Sequence, residues 1–245
     1  MSAGSFARRL TLVAAMTTAA GIANAACNAT LYLTFDTGNM RYAELIAETL
    51  AQHKAKATFF VAHEKTLRGD SALDPAWADY WQARVAEGHA FGSHTWRHGS
   101  FRQDQDQLTR YRLMDGKTET LDDDAICAEI RRPDSRFKEL TGRALDPLWR
   151  APGGHTTPRT LKAAQACGFH HVGWAAAGFL GDELPSGTYP NALLVERALK
   201  NLKDGDIVMA HLGIWSRKDP FAPALDQLLG GLEARGFCFA TLATR

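Results

Sequence analysis

LYLTFDTGNMRYAELIAETLAQH, residues 31–53, changes character halfway along. Leu31 to Phe35 is an apolar run short enough for a buried strand, and YAELIAETLAQH carries the 3.6-residue apolar spacing of an amphipathic helix. Between them stand Asp36, Thr37 and Gly38. KATFFV, residues 56–61, then reads as a second buried strand. Strand, turn, helix, strand is a βαβ unit, and such units pair their strands in parallel with right-handed crossovers.

The pattern repeats along the chain. DPAWADYWQARVAEG (74–88) is a helix with Asp74 as its expected cap, Pro75 in first position and Gly88 as its stop. HAFGSH (89–94) is a strand, followed by a polar connection from about His98 to Asp123. Helix is expected from Asp123 to Gly142, with Pro133 breaking or kinking it. Strands PLWRA, HHVGWA, GDIVMAH and FCFATL then alternate with helices TPRTLKAAQACG, NALLVERALKNL and APALDQLLGGLEARG. About seven units with no linker favour one barrel-like α/β domain over an open sheet. In such folds function gathers at the C-terminal ends of the strands.

The N-terminus has a different character. Arg8 and Arg9, the weakly apolar TLVAAMTTAAGI and the small-residue ANA ending at Ala25 have the order of a secretory signal peptide. The expected division is a signal peptide over 1–25 and one domain over 26–245, periplasmic or secreted. The apolar run is too short and too rich in Ala and Thr for a good membrane span. Cleavage takes the formal charge from +1 to −1 by removing the two arginines. That balance gives no electrostatic footprint for nucleic acid or anionic membrane. Four cysteines remain, and an exported chain with an even count suggests two disulfides. Of the three connectivities, Cys127–Cys167 is preferred because their helices flank one short strand. Cys27 would then pair with Cys238.

Several polar residues end strands. Asp36 follows LYLTF, His94 and His98 follow HAFGS, Arg150 ends PLW and His211 ends DIVMA. A scatter of polar residues would rarely set a carboxylate, three imidazoles and a guanidinium on one rim. HTWRH has the His-x-x-x-His spacing that places two imidazoles on one face of a helical turn, a common zinc geometry. The glycines of RAPGG let backbone N–H groups approach a ligand closely, where they can stabilise an oxyanion. His53, His63 and His89 lie in ordinary core or surface contexts. The aromatics Phe101, Tyr111, Trp77 and Trp81 could line a sugar groove, although such residues are more often core.

TFDTG, HTWRH, RAPGG, VGWAAAGFLGDEL and VMAH, in that order, resemble the five motifs of the polysaccharide deacetylases with the NodB homology domain, carbohydrate esterase family four. The resemblance implies a distorted (β/α) barrel that removes N-acetyl or O-acetyl groups from glycans such as peptidoglycan or a chitin-like polymer. It implies a divalent metal, zinc first, with cobalt, manganese or nickel as alternatives. By resemblance Asp36 is the general base, Arg150 orients it and His211 protonates the leaving amine. His94 and His98 bind metal, with Thr37 as a candidate third ligand. Gly153 takes the oxyanion-hole place, and Trp174 and Asp182 fall in the fourth motif on the substrate side. The family has a second acid where this chain has Thr37. Weaker metal binding is therefore expected, with water, Thr37 or Asp36 in the third position. A catalytically impaired glycan-binding module and an esterase acting on O-acetyl groups are the competing readings.

Overall fold

The computed structural model describes residue 1 and residues 27–245. The expected signal peptide lies outside the described residues apart from Met1. β1 (Ala29–Asp36) leads to α1 (Ala43–Gln52), then β2 (Ala57–Val61), α2 (Ala78–Ala86) and β3 (Ala90–Ser93). β4 (Ser100–Gln105), β5 (Leu108–Arg112) and β6 (Thr118–Leu121) precede the long α3 (Asp123–Thr141). β7 (Leu148–Trp149), α4 (Pro158–Ala166), β8 (His170–His171), α5 (Asn191–Asn201), β9 (Ile207–His211), α6 (Leu225–Ala234) and β10 (Phe237–Phe239) complete the order.

Seven strands form one curled parallel sheet. Its path runs β10, β1, β2, β3, β7, β8, with β9 on the other side of β1. This is the expected α/β architecture, a half-barrel about β1. After β8 the chain crosses to β9, where Phe179 bridges Met209 in parallel and Ala175 N–H donates to Ile207 O at 3.0 Å. β1 is central because its inward residues are apolar: Leu31, Leu33 and Phe35 are all at most 2% exposed. Beneath the sheet, Phe59, Phe91, Trp81 and Phe137 stack edge and face. Burying each of these side chains contributes roughly 1.5–3 kcal/mol.

Register decides where the site lies. Asp36 is paired with Phe60 of β2 and His211 of β9, and Ser93 of β3 with Trp149 of β7. The residues at or just past these pairs, Asp36, His94, Arg150 and His211, therefore share one rim.

Three expectations are corrected. The polar connection after His98 is a three-stranded antiparallel sheet, β4–β5–β6. Its strands alternate only weakly because most of one face is solvated. Phe101 and Tyr111 point inward, Phe101 packing on both Tyr111 and Trp149, so they are core, as are Trp77 and Trp81. Secondly, α3 runs unbroken through Pro133. Proline leaves the carbonyl four residues back without its helical partner, and here Trp96 N–H takes the Glu129 carbonyl at 2.7 Å. Asp122 caps the helix by accepting from Ala125 N–H, and Gly142 ends it at φ +78°. Thirdly, Asp74 accepts from Ser71 N–H rather than capping the turn that Pro75 opens.

Both disulfides have the expected pairing, Cys27–Cys238 and Cys127–Cys167. The first ties the start of β1 to β10. The second ties α3 to the end of α4. Among the described residues no helix is long and apolar enough to cross a membrane.

Candidate active site

Asp36 and Arg150 form the floor of the rim. Arg150 is fully buried, and its Nη1 donates to Asp36 Oδ1 at 2.9 Å and Thr34 Oγ1 at 2.8 Å. Its remaining groups donate to the Val172 and Gly173 carbonyls, and the guanidinium lies 4.2 Å over the Phe60 ring. A guanidinium so fixed aims the carboxylate beside it. Burial opposes ionisation of Asp36, but its electrostatic partners, the charged Arg150 and His211 among them, outweigh it and hold the carboxyl below its usual range.

His94 and His98 come together, but not on a helical turn. Thr95 and His98 lie at φ +63° and +52°, values that exclude a helix. The loop is drawn outward by α3. Trp96 N–H reaches the Glu129 carbonyl, and the Glu129 carboxylate accepts from Arg97 N–H, Arg97 Nε and Tyr111 OH at 3.0, 2.6 and 3.0 Å. Gly99 follows because a Cβ there would meet the Tyr111 ring at 2.3 Å.

His94 Nδ1 faces the Arg150 carbonyl at 2.9 Å. A carbonyl only accepts, so Nδ1 carries the proton and Nε2 the lone pair. That lone pair is 3.2 Å from His98 Nε2 and 3.5 Å from Asp36 Oδ2. Burial pushes the His94 imidazole down to about 3, which keeps it neutral as a ligand must be. Two converging imidazoles beside a carboxylate suit a divalent ion of the zinc, cobalt or nickel kind. Among the described residues, however, no three His, Cys, Asp or Glu side chains are already drawn into ligand positions.

Thr37 turns its hydroxyl to the end of β2. Its hydroxyl accepts from Ala62 N–H at 3.3 Å and donates to Glu64 Oε1 at 2.5 Å. Glu64 Oε2 stands 3.7 Å from His98 Nδ1. VAHEK turns polar just past β2, so Glu64 also closes a strand, but it matches none of the five motifs and its tie to Thr37 is visible only in the fold.

On the other side of β1, Asp182 accepts from His211 N–H at 2.7 Å and lies 3.1 Å from His211 Nδ1. Burial pulls the imidazole down, but Asp182, with Asp36 and Glu183, pushes it up to about 9. Asp36 thus sits between a neutral imidazole and a protonated one. Gly38 makes the crossing between them possible: at φ +55°, a Cβ there would lie 2.1 Å from the Gly213 carbonyl.

Gly153 lies in a short turn after Arg150 at φ +61°. Trp174 closes the same wall, 5.5 Å from the Arg150 guanidinium, and its ring lies 3.0 Å from the position of a Cβ on Gly154. Next to the histidines is a groove of about 550 Å³, lined by Glu64, Trp96, Arg97, Met114 and the 57% exposed Trp215.

A family model described as polysaccharide deacetylase matches residues 23–172. The chain belongs to the polysaccharide deacetylase family. A peptidoglycan-N-acetylglucosamine deacetylase of Bacillus cereus is 27% identical over 212 residues, covering 86% of this chain and 85% of that protein. A solved family 4 acetyl xylan esterase from Clostridium thermocellum, in complex with a cobalt ion, superposes with a TM-score of 0.69 at 21% identity, over 88% of this chain and 89% of that one. A family pseudoenzyme from Bacillus anthracis superposes with a TM-score of 0.65 at 18% identity, over 88% of this chain and 64% of that one. At these identities the two structures speak for the fold, and this deacetylase-family chain has to be read from its own residues.

Proposed function

We propose that this chain is an exported, metal-dependent hydrolase that removes acetyl groups from N-acetylglucosamine units of an extracytoplasmic glycan, peptidoglycan first. The observation that carries the reading is the pairing of two opposed proton-transfer groups across β1. Asp36 is held ionised by Arg150, and His211 is held protonated by Asp182. Environments that drive two neighbouring titratable groups apart mark an acid and a base. A binding module has no need of either.

When bound at His94 and His98, a divalent ion supplies Lewis acidity at the acetyl carbonyl. Asp36 takes the proton of the attacking water, and Arg150 keeps that carboxylate ionised and aimed. His211 gives its proton to the leaving nitrogen, and Asp182 keeps the imidazole charged and its Nδ1 engaged, so that Nε2 faces the reaction. Each such transfer is worth about 10²–10⁴-fold in rate. The Gly153 N–H is the proposed oxyanion donor. Trp174 and the exposed Trp215 offer apolar faces to sugar rings. The requirement for an acid at the leaving atom favours N-acetyl over O-acetyl groups, because an amine leaves poorly without a proton.

The test is acetate release by the purified chain, loaded with zinc or cobalt, from acetylated chito-oligomers, peptidoglycan and acetyl-xylan. Release from the two N-acetylated glycans is expected, with peptidoglycan preferred. Release from acetyl-xylan alone would transfer the assignment to the esterase reading. No release from any of the three would leave the glycan-binding module.

A further inference from the structure

We propose that Glu64 is the third protein ligand of the metal site, supplying from the end of β2 the carboxylate that position 37 lacks. The inference rests on the reading of His94 and His98 as a metal pair. Thr37 becomes the holder of that ligand. Its hydroxyl has one proton, and that proton goes to Glu64 Oε1 at 2.5 Å, while Ala62 N–H occupies the oxygen from the other side. The hydroxyl oxygen occupies the place of the carboxylate carbon in an aspartate. Glu64 therefore brings its oxygens to the neighbourhood that an aspartate at 37 would have filled.

Charge points the same way. The Glu64 side chain is 9% exposed, and the basic group within 4 Å of it, among the described residues, is His98, which it meets at Nδ1 (3.7 Å) rather than at the Nε2 that faces His94. No lysine or arginine there neutralises it. A nearly buried carboxylate without a cation is costly, and such groups are paired or coordinate metals. Asp36, the other carboxylate near the histidines, is already engaged by Arg150.

The segment is also held in place. His63 N–H donates to the Trp96 carbonyl at 3.0 Å, and the two rings stack with centroids 4.1 Å apart. Glu64 O accepts from Ala72 N–H at 2.9 Å, and Lys65 bridges Ser71 in antiparallel fashion. The residue before Glu64 is thus fastened to the loop that carries both histidines, and Glu64 itself to the turn at Ala72. Ligand positions depend on such support.

Equilibrium titration of the full mature chain with Co²⁺ tests this, followed by the visible spectrum of the saturated protein. E64Q is expected to weaken Co²⁺ binding by at least the roughly tenfold that loss of an outer-shell partner alone produces. Its saturated spectrum should also differ, since the anionic carboxylate ligand is replaced by a neutral amide. T37D/E64Q should recover the affinity, which also shows that the neighbourhood still folds. If E64Q binds Co²⁺ as wild type does, Glu64 is not a ligand. If its affinity falls while the saturated spectrum stays the same, Glu64 only orients His98, and the proposal is overturned. A wild-type chain that takes up no Co²⁺ overturns the metal reading itself, an outcome distinct from either.

Discussion

At the scale of single residues, the account turns on charge states at Asp36 and His211. The imidazole of His211 titrates at about 9, raised by Asp182 against the effect of burial. An acid must be protonated to act, so acetate release should fall as pH rises through about 9. In D182N the carboxylate that raises the pKa is gone, and the alkaline limb should move to lower pH by about one unit or more. A pH profile of kcat/KM in both proteins reads this directly; an unmoved limb in D182N removes Asp182 as the group that sets it. The same shift has a stability consequence. A folded-state pKa above the unfolded value of 6.5 stabilises the protein fully below pH 6.5, and that contribution is lost as pH rises through about 9. Most of these residues were legible in the sequence because each closes a strand, and strand ends can be read from where an apolar run stops. Glu64 was not, because its role depends on the hydroxyl of Thr37, 27 residues away in the chain.

At the scale of elements, α3 acts as the brace of the histidine loop. Its proline releases one carbonyl, which Trp96 N–H takes, and its Glu129 side chain takes three donors, two from Arg97 and one from Tyr111. E129A would leave buried donors unpartnered, at about 1–3 kcal/mol for each fully desolvated group. It should lower the melting temperature and weaken metal uptake together, although Glu129 is no ligand. Calorimetry and Co²⁺ titration check the pair of effects, and a full retention of affinity would show that the loop holds its shape without the brace. This arrangement could not be read from the sequence. A proline inside a helical pattern reads as an interruption unless one knows what donor awaits the freed carbonyl. Likewise β4 to β6 read as a loop, since a small sheet with one solvated face shows little apolar alternation. The His-x-x-x-His spacing suggested a helical turn, but similar closeness is reached through two left-handed residues.

Across the whole molecule, the half-barrel brings together groups from both ends of the chain. Asp36 comes from the first strand and His211 from the ninth, and they are direct neighbours in register. That adjacency follows from β1 being central, which its fully apolar interior positions announce in the sequence. The disulfides fix the same frame, closing separations of 211 and 40 residues. Their pairing was accessible because it needed only the order of elements. The central claim is that this frame assembles a working base, acid and metal pair despite the threonine in its first motif. The most direct measurement is acetate release from N-acetylglucosamine oligomers by the zinc-loaded wild type and by D36N, which keeps the shape of the side chain and removes its charge. The account predicts steady release by the wild type and a loss of about 10²–10⁴-fold in D36N with metal still bound; equal rates in the two proteins would contradict it.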